Sequence, residues 1–317
     1  MLLPAAALTG GLTFVVGSGP VALVVIGHGV VGLALLVLVP WKTTIARRGL
    51  RRRRRDRWLS LALAGAVVLA LLTGLAHSTG LLVTGPGVTA LQVHVGAGLV
   101  ALAAGLAHAR RRRTRVRAGD LSRRTVVRAG LVTAASVGLY AGLEGTASAL
   151  SLPGARRRAT GSYELDPASM PATSWLFDAV PDDDPLAWRL TVTSGGVTRS
   201  FGVPELAAFG DTTTTVLDCT GGWWARQQWS GVRVSRLLPG ATGSVQVVSA
   251  TGYQRRLPLS DGLLLAVAAG GATLTPGRGA PLRLVAPGRR GFHWVKWVTR
   301  IEHDERPWWL EPPLPLH

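Results

Sequence analysis

The sequence predicts an all-α, four-helix membrane bundle followed by a β-rich α+β domain. The mean hydropathy of the whole chain is +0.29, which is high for a soluble protein. Its apolar residues lie mostly in the first half of the sequence. Arginine-rich runs separate the apolar segments there. The second half instead shows short β-type runs broken by Gly and Pro turns. The expected parts are a membrane domain at 1–150, a linker at 151–160, a folded domain at 161–306 and a Pro/Trp-rich tail at 307–317.

The membrane domain is predicted from the length of its apolar segments. A helix rises about 1.5 Å per residue, so roughly 20 apolar residues cross a hydrocarbon layer of about 30 Å. Segments near this length lie at 21–39, 58–82, 88–109 and 129–150. The apolar stretch 2–16 is shorter and is separated from the first span by Gly-Ser-Gly-Pro. It is either an interfacial segment or the remainder of a longer helix.

The distribution of arginine sets the expected orientation of these spans. Nearly all basic residues are arginine, and they cluster at 47–57 and 110–128, between apolar segments. Cytoplasmic loops carry such positive charge, so the domain after residue 150 is expected outside the cytoplasm, on a multi-pass protein of the cell membrane. The net charge of +18 does not indicate nucleic-acid binding, which requires basic residues interleaved with aromatic ones on a folded surface.

Cys219, the single cysteine of the chain, is the candidate reactive residue. A lone cysteine cannot form an internal disulfide, and this one lies in a glycine-rich turn after the β-type run 212–217. A thiolate in such a turn is well placed to ligate a metal. Most single cysteines are instead small, buried core residues, and spacing alone leaves the two alternatives even.

The sequence around Cys219 favours the metal. The run D-C-T-G-G-W-W at 218–224, followed by W-S-G-V-R-V-S-R-L-L at 229–238, resembles the molybdenum-ligating segment of the sulfite-oxidase family of molybdopterin oxidoreductases. Residues 279–302 resemble that family's pterin-binding strand and turn, and the resemblance spans 162–303. It implies a sulfite-oxidase-like molybdopterin domain in which Cys219 supplies the protein thiolate to molybdenum, while the pyranopterin dithiolene supplies two further sulfurs.

The resemblance also implies roles for four basic residues. Arg290, His293 and Lys296, in the turn G-R-R-G-F-H-W-V-K-W, are expected to contact the pterin and its phosphate, because a phosphate needs charged donors close together. The alternative is an exposed basic turn. Arg226 is expected to face an anionic substrate or the metal oxo group, or else to form a surface ion pair. Molybdenum in this family exchanges an oxo group with substrate, so Cys219 and Arg226 are the predicted catalytic residues.

One departure from the family bears on the substrate. Sulfite oxidases carry a tyrosine in an L-L-A-Y segment ahead of the pterin strand, whereas this chain has L-L-A-V at 264–267. Oxidation of a sulfite-like substrate and reduction of an S-oxide or N-oxide are therefore both open, on a small molecule or an oxidised protein. Trp223, Trp224 and Trp229 are expected to wall the pocket or fill the core. The oligomeric state is not predicted.

The predicted membrane domain contains or is bordered by four histidines: His28, His77, His94 and His108. An ionisable side chain at bilayer depth is costly and is a functional hypothesis by default. Their arrangement is similar to that of prokaryotic di-haem b-type cytochromes. The resemblance implies an outer haem held by His77 and His94 and an inner haem held by His28 and His108. The alternatives are a single haem between His28 and His94, or isolated histidines bonded to neighbouring helices.

A further motif bears on export. S-R-R-T-V-V-R at 122–128 looks like a twin-arginine signal, which carries folded, cofactor-loaded domains across bacterial membranes; additional cytoplasmic arginines are the alternative. The sequence thus predicts a membrane-bound molybdenum oxidoreductase that passes electrons between a membrane quinone and the outer domain through haem b. The rivals are a non-catalytic haem electron-transfer protein whose outer domain has lost its cofactor, and a transporter that carries metal on its histidines.

Overall fold

The computed structural model describes residues 2–15, 21–50, 57–81, 88–111, 122–173, 178–260 and 262–312. The chain divides into two compact units, Met1–Tyr163 and Glu164–His317. Much of both predicted arginine-rich runs, and the end of the predicted tail, lie outside the described residues.

The first unit is helical. Its described residues form α1 (Leu2–Val15), α2 (Val21–Val37), α3 (Val39–Leu50), α4 (Arg57–Thr79), α5 (Ala90–Arg111) and α6 (Arg123–Ala149), followed by the 3-10 turn Pro153–Arg156. Helix α1 packs against α2 and α5, α2 packs against α6, and α4 packs along α5. Large apolar side chains such as Leu23, Leu72 and Leu99 are exposed on these helices. Exposed apolar surface of this kind is expected where lipid surrounds a helix.

Three described helices, α4, α5 and α6, are long and apolar enough to cross a membrane. Helix α2, predicted as the span 21–39, has 17 residues, which corresponds to about 26 Å and falls short of a hydrocarbon layer of about 30 Å. Helix α3 begins only two residues after the end of α2. The residue between them, Leu38, keeps a helical hydrogen bond from its amide to the Ala34 carbonyl at 3.2 Å. The four-helix membrane bundle therefore stays a prediction.

The start of α6 explains one feature of the arginine motif. Ser122 has extended backbone angles, and its side chain accepts a hydrogen bond from the amide of Thr125, which makes it the N-cap of α6. Residues 123–128 are therefore the first turns of this helix. At the other end of α6, Glu144 forms an ion pair with Arg157 of the linker, so the carboxylate is neutralised by a partner on the same unit. The export signal itself stays a prediction.

The second unit is built on strands. They are β1 (Tyr163–Glu164) at the boundary between the units, β2 (Arg189–Ser194), β3 (Val197–Gly202), β4 (Asp211–Asp218), β5 (Trp223–Arg233), β6 (Ser244–Ser249), β7 (Gln254–Pro258), β8 (Leu264–Ala269), β9 (Ala272–Thr273), β10 (Arg283–Val285) and β11 (Val298–Asp304). The short helices are α7 (Val203–Ala207) and α8 (Val234–Leu237), and 3-10 turns lie at Pro167–Ser169, Pro276–Arg278, Gly291–His293 and Trp308–Leu310.

The strands form two sheets. In one, β5 pairs with β4 and β8, and β8 pairs with β9 and β10, all antiparallel. The other has the order β3-β2-β11-β6-β7, in which β2 and β11 are parallel and the remaining pairs antiparallel. This mixed topology confirms the β-rich α+β fold predicted for this half of the chain.

The core of the second unit is formed by its inner strands. All residues of β6 and β10 are buried, as are the first three of β8. Burial on both faces favours a continuous apolar run, which explains L-L-A-V in β8. Burying a side chain such as Leu264 contributes about 1.5–3 kcal/mol. These strands form the rigid base beside which the site is built.

The described part of the tail packs on this unit. Glu311 lies 3.6 Å from both Arg255 and Arg256, and Arg255 donates to the Pro312 carbonyl at 2.9 Å. The guanidinium of Arg289 lies 4.6 Å from the centre of the Trp308 ring. The tail is therefore a packed segment of the domain up to residue 312.

Candidate functional site

The site lies at the end of the hairpin formed by β4 and β5. Asp218 pairs with Trp224, so the next residue, Cys219, lies opposite Trp223, and its amide donates to the Trp223 carbonyl at 2.8 Å. Gly222 closes the turn with φ +88°, a conformation that other residues rarely adopt. Because side chains alternate along a strand, Cys219 and Trp223 share one face of the hairpin, and Asp218 and Trp224 share the other.

Cys219 is buried, with 7% of its surface exposed. Its sulfur accepts a hydrogen bond from the Gly221 amide at 3.3 Å and lies 3.6 Å from the Thr173 hydroxyl. The thiolate of cysteine is the form that binds metals. The hairpin thus holds a buried sulfur of the kind that can serve as a metal ligand.

A second turn packs on the hairpin and fixes its end. A methyl group on Gly291 would lie 3.0 Å from Cys219 Cα and 3.3 Å from the Asp218 carbonyl oxygen, so this turn approaches closely because residue 291 has no side chain. The neighbouring Arg290 forms a buried ion pair with Asp218. This ion pair could not be inferred from sequence spacing, and the predicted contact of Arg290 with the pterin phosphate stays a prediction.

Two further cations lie near Cys219. Arg283 of β10 is 5% exposed, and its guanidinium carbon lies 5.3 Å from the Trp229 ring and 5.8 Å from the Trp294 ring. Burial lowers the pKa of Arg283 to about 10, against the opposing effect of the Cys219 sulfur. Lys296 donates from Nζ to the Thr173 carbonyl at 2.6 Å.

The surroundings of Lys296 disfavour the positive charge of its ammonium group. Burial, together with the charge of Arg283, lowers its pKa to about 7, and the Cys219 sulfur partly opposes the change. Removing two cations from water beside each other is costly unless an anion lies near them. The surroundings of Cys219 therefore favour a negatively charged ligand.

Several buried donors near this cluster have no hydrogen-bond partner among the residues that the structure describes: Trp223 Nε1, Trp229 Nε1 and Arg283 Nε. Most buried polar groups in folded proteins are paired, so unpaired ones require an explanation. Ligands with acceptor atoms would satisfy these donors. Trp229 Nε1, Arg283 Nε and the two cations fit an anionic pterin with a phosphate.

The other two predicted residues are placed differently from expectation. Arg226 is exposed and, two residues beyond Trp224 on β5, lies on the face opposite Cys219. The structure therefore contradicts its predicted role towards substrate. The ring of His293 lies 4.2 Å from that of Phe292, and burial, aided by Arg255 and Arg289, lowers its pKa to about 3. His293 is therefore neutral near pH 7 in the absence of an anionic ligand, and its contact to the pterin and phosphate stays a prediction.

Residues 177–309 match the family model described as the oxidoreductase molybdopterin binding domain. The second unit therefore carries a molybdopterin-binding domain of the oxidoreductase type. Among solved structures the chain is similar to the crystal structure of the sulfane dehydrogenase SoxCD from Paracoccus pantotrophus, with 25% identity, a TM-score of 0.37, and coverage of 40% of this chain and 40% of that chain. The chain thus spans less than half of that structure's length. The family match lies wholly within the second unit and confirms the predicted sulfite-oxidase-type domain.

Sequence reasoning missed two residues of the molybdopterin-binding domain. Arg283 lies within the predicted pterin strand, but in P-L-R-L-V it was taken only as a strand residue. An arginine between buried apolar residues is a signal in itself, because arginine is almost never fully buried without a partner. Trp223 was expected only to wall the pocket, and its unpaired indole nitrogen is visible only in the structure.

The histidines of the helical unit come together in part. The rings of His28 and His94 lie 5.8 Å apart at 88°, and His77 packs 5.6 Å from the Tyr163 ring. His28 and His94 are the pair named in the alternative of a single haem. The pairings of His77 with His94 and of His28 with His108 stay predictions.

Proposed function

We propose that this chain is a membrane-bound molybdenum oxidoreductase that passes electrons between a membrane quinone and its molybdopterin-binding domain through haem b. The observation that carries the proposal is the buried Cys219 sulfur surrounded by two cations and three unpaired donors. A protein that had lost its cofactor would have no use for unpaired buried donors, since each costs about 1–3 kcal/mol.

Different residues around Cys219 would bind different parts of the cofactor. Arg283 and Lys296 would hold its anionic phosphate and pterin, and binding would restore the pKa of Lys296 towards its ordinary value. Trp229 lies against Arg283 and would offer its indole N–H to a pterin acceptor. When bound, molybdopterin supplies a metal that exchanges an oxygen atom with substrate in a two-electron step.

Cys219 would be the single protein ligand to that metal. The Gly221 amide donates a hydrogen bond to its sulfur, and the Asp218–Arg290 ion pair fixes the strand end from which it projects. Buried ion pairs of this kind fix geometry more reliably than they add stability. The hairpin therefore presents a preorganised sulfur that does not have to move when the metal binds.

The proposed reaction is reduction of an S-oxide or N-oxide, on a small molecule or an oxidised protein, rather than oxidation of sulfite. Val267 of β8 stands where the L-L-A-Y segment of sulfite oxidases carries a tyrosine. Arg226, the cation that the sequence offered for an anionic substrate, lies on the opposite face of the hairpin. Both observations favour an uncharged substrate over a sulfite-like anion.

A single haem between His28 and His94 is the proposed electron carrier. His28 Nδ1 lies 3.0 Å from the Ala6 carbonyl, and His94 Nδ1 lies 2.7 Å from the Ala70 carbonyl. A proton on each Nδ1 leaves the lone pair on each Nε2, the arrangement that histidine ligands of metals adopt. His28 and His94 would hold a haem through these nitrogens, and the haem would supply electron transfer.

The same proposal places the molybdopterin-binding domain outside the cytoplasm. The arginine-rich runs would lie on the cytoplasmic side of the cell membrane, and the sequence at 122–128 would direct export of the folded, loaded domain as a twin-arginine signal. Retention of α6 would leave the exported domain attached to the membrane.

Metal and haem content of the purified full chain tests the proposal. We expect one molybdenum per chain, with the absorbance bands of b-type haem after reduction by dithionite. Haem without molybdenum would favour the non-catalytic electron-transfer protein, and absence of haem would favour the metal transporter. The change Cys219→Ser should abolish oxide reduction and leave the haem spectrum intact. Retained turnover in this variant would contradict the role of Cys219.

A further inference from the structure

We infer that Trp223 donates its indole N–H to the oxygen atom of an uncharged S-oxide or N-oxide substrate held beside Cys219. The inference rests on the proposed function and adds a specificity-determining residue to it. It is carried by three independent observations on the hairpin: the shared face of the two side chains, the unpaired indole nitrogen and the gap between that nitrogen and the sulfur.

The register of the hairpin brings the two side chains together. Cys219 and Trp223 close the turn between β4 and β5, and directly opposite residues on one face of an antiparallel pair have Cβ atoms about 4.5–5.5 Å apart. Trp224, the next residue, points to the other face. Of the two neighbouring indoles, only that of Trp223 is on the side of the sulfur.

The indole N–H of Trp223 is buried and unpaired. The side chain is 3% exposed, and Nε1 has no hydrogen-bond partner among the residues that the structure describes. A methyl group placed on Gly221 would touch both groups, at 3.3 Å from Trp223 Nε1 and 3.5 Å from Cys219 Sγ. The sulfur and the indole nitrogen therefore lie close together across the turn, so an acceptor atom that is hydrogen-bonded to the indole lies near the sulfur.

The polarity of the surroundings identifies the class of ligand atom. An indole nitrogen is a donor and never an acceptor, so its partner must be an acceptor such as an oxide oxygen. Cationic Arg283 and Lys296 are assigned to the anionic cofactor, whereas Trp223 is neutral and binds an acceptor without requiring negative charge. A neutral donor beside the reactive sulfur suits the polar S–O or N–O bond of an uncharged oxide.

The reaction balances with a quinol as reductant. The quinol is oxidised to a quinone and delivers two electrons, and two protons come from water. The S–O or N–O bond breaks, the oxygen leaves as water, and the sulfur or nitrogen keeps the electron pair of the broken bond. Trp223 loses no proton in this sequence, because its N–H only holds the oxygen in place.

The variant Trp223→Phe tests the inference, because it keeps an aromatic ring and removes only the donor and one ring of the indole. The matched control is Trp224→Phe, one residue along and on the opposite face. Both full-length variants would be compared with the wild type for molybdenum content, for KM and kcat towards dimethyl sulfoxide and trimethylamine N-oxide with reduced viologen, and for calorimetric binding of dimethyl sulfone, an oxygen acceptor that is not reduced.

Loss of one buried hydrogen bond weakens binding by roughly tenfold. We expect KM for both oxides and the Kd of the sulfone to rise by about that factor in Trp223→Phe, with molybdenum content unchanged, and to stay within about twofold of wild type in Trp224→Phe. Unchanged KM and Kd in Trp223→Phe would overturn the inference. So would loss of molybdenum in that variant alone, since the indole would then hold the cofactor. If the wild type reduces neither oxide, the proposed function fails, and sulfone binding alone decides the role of Trp223.

Discussion

At the scale of single residues, the site combines groups that are each unfavourable in the absence of a ligand. Lys296 is the clearest example, because burial and the nearby Arg283 lower its pKa to about 7, against an ordinary value of about 10.4. In an unfolded chain the same ammonium group holds its proton more tightly. The folded domain therefore contains a buried positive charge that is unfavourable by itself and that an anionic cofactor would stabilise.

The sign of this effect gives a prediction for stability. Between pH 7 and about pH 10 the unfolded state binds more protons at Lys296 than the folded state, so the free energy of unfolding should rise with pH. Full-length protein made without molybdopterin should therefore resist urea better at pH 9 than at pH 7. Lys296→Met should remove most of this slope, and it changes the only lysine of the second unit. An unchanged slope in the variant would show that Lys296 is not the group that titrates.

The residues also show how far the sequence could be interpreted. Cys219 could be identified because it is a lone cysteine in a glycine-rich turn, and because the motif around it resembles a molybdenum-ligating segment. The role of Arg226 was predicted from its distance to Cys219 along the sequence. That distance does not show on which face of the strand a side chain lies, and Arg226 lies on the face opposite Cys219. The ion pair of Arg290 with Asp218 was not predicted, because Asp218 is 72 residues away in the chain. Such long-range pairs have no local signal.

At the scale of elements, the site depends on how closely the turn at 291–293 approaches the hairpin. The β-rich fold and the cysteine turn were predictable from short apolar runs and glycines. The contact between the two turns was not, because it arises from the packing of β10 and the hairpin in one sheet. Gly291 makes that contact possible, since a side chain there would meet the backbone of Cys219 rather than a flexible group.

The change Gly291→Ala tests this contact. Its methyl group would lie 3.0 Å from Cys219 Cα, so we expect destabilisation of about 1–3 kcal/mol, as for other overpacked sites, and reduced molybdenum content. Gly262→Ala is the matched control, because the nearest atom to its methyl would be at 3.8 Å. Thermal unfolding and metal analysis of both full-length variants measure the difference. Equal stability and equal molybdenum content in the two variants would contradict a role for close packing at Gly291.

At the scale of the whole molecule, the chain joins a helical unit with three helices of membrane-spanning length to a molybdopterin-binding domain. Hydropathy predicted the approximate limits of these three helices, because lipid leaves few alternatives to a continuous apolar helix. It could not predict which histidines meet, since that depends on helix rotation and on α1. This short helix lies outside the predicted bundle and supplies Ala6 and Thr9 as neighbours of His28.

The proximity of His28 and His94 leads to a prediction that separates one haem from two. If both ligate the same haem, His28→Ala and His94→Ala should each remove nearly all of the b-type absorbance after reduction, whereas His77→Ala and His108→Ala should keep it. The reason is that a six-coordinate haem loses its low-spin spectrum when either axial ligand is lost. Two haems held by His77 with His94 and by His28 with His108 would instead lose about half of the absorbance in each of the four variants. Molybdenum content should be unchanged in all four, because Cys219 and its surrounding donors belong to the other unit, and this control distinguishes loss of haem from failure to fold.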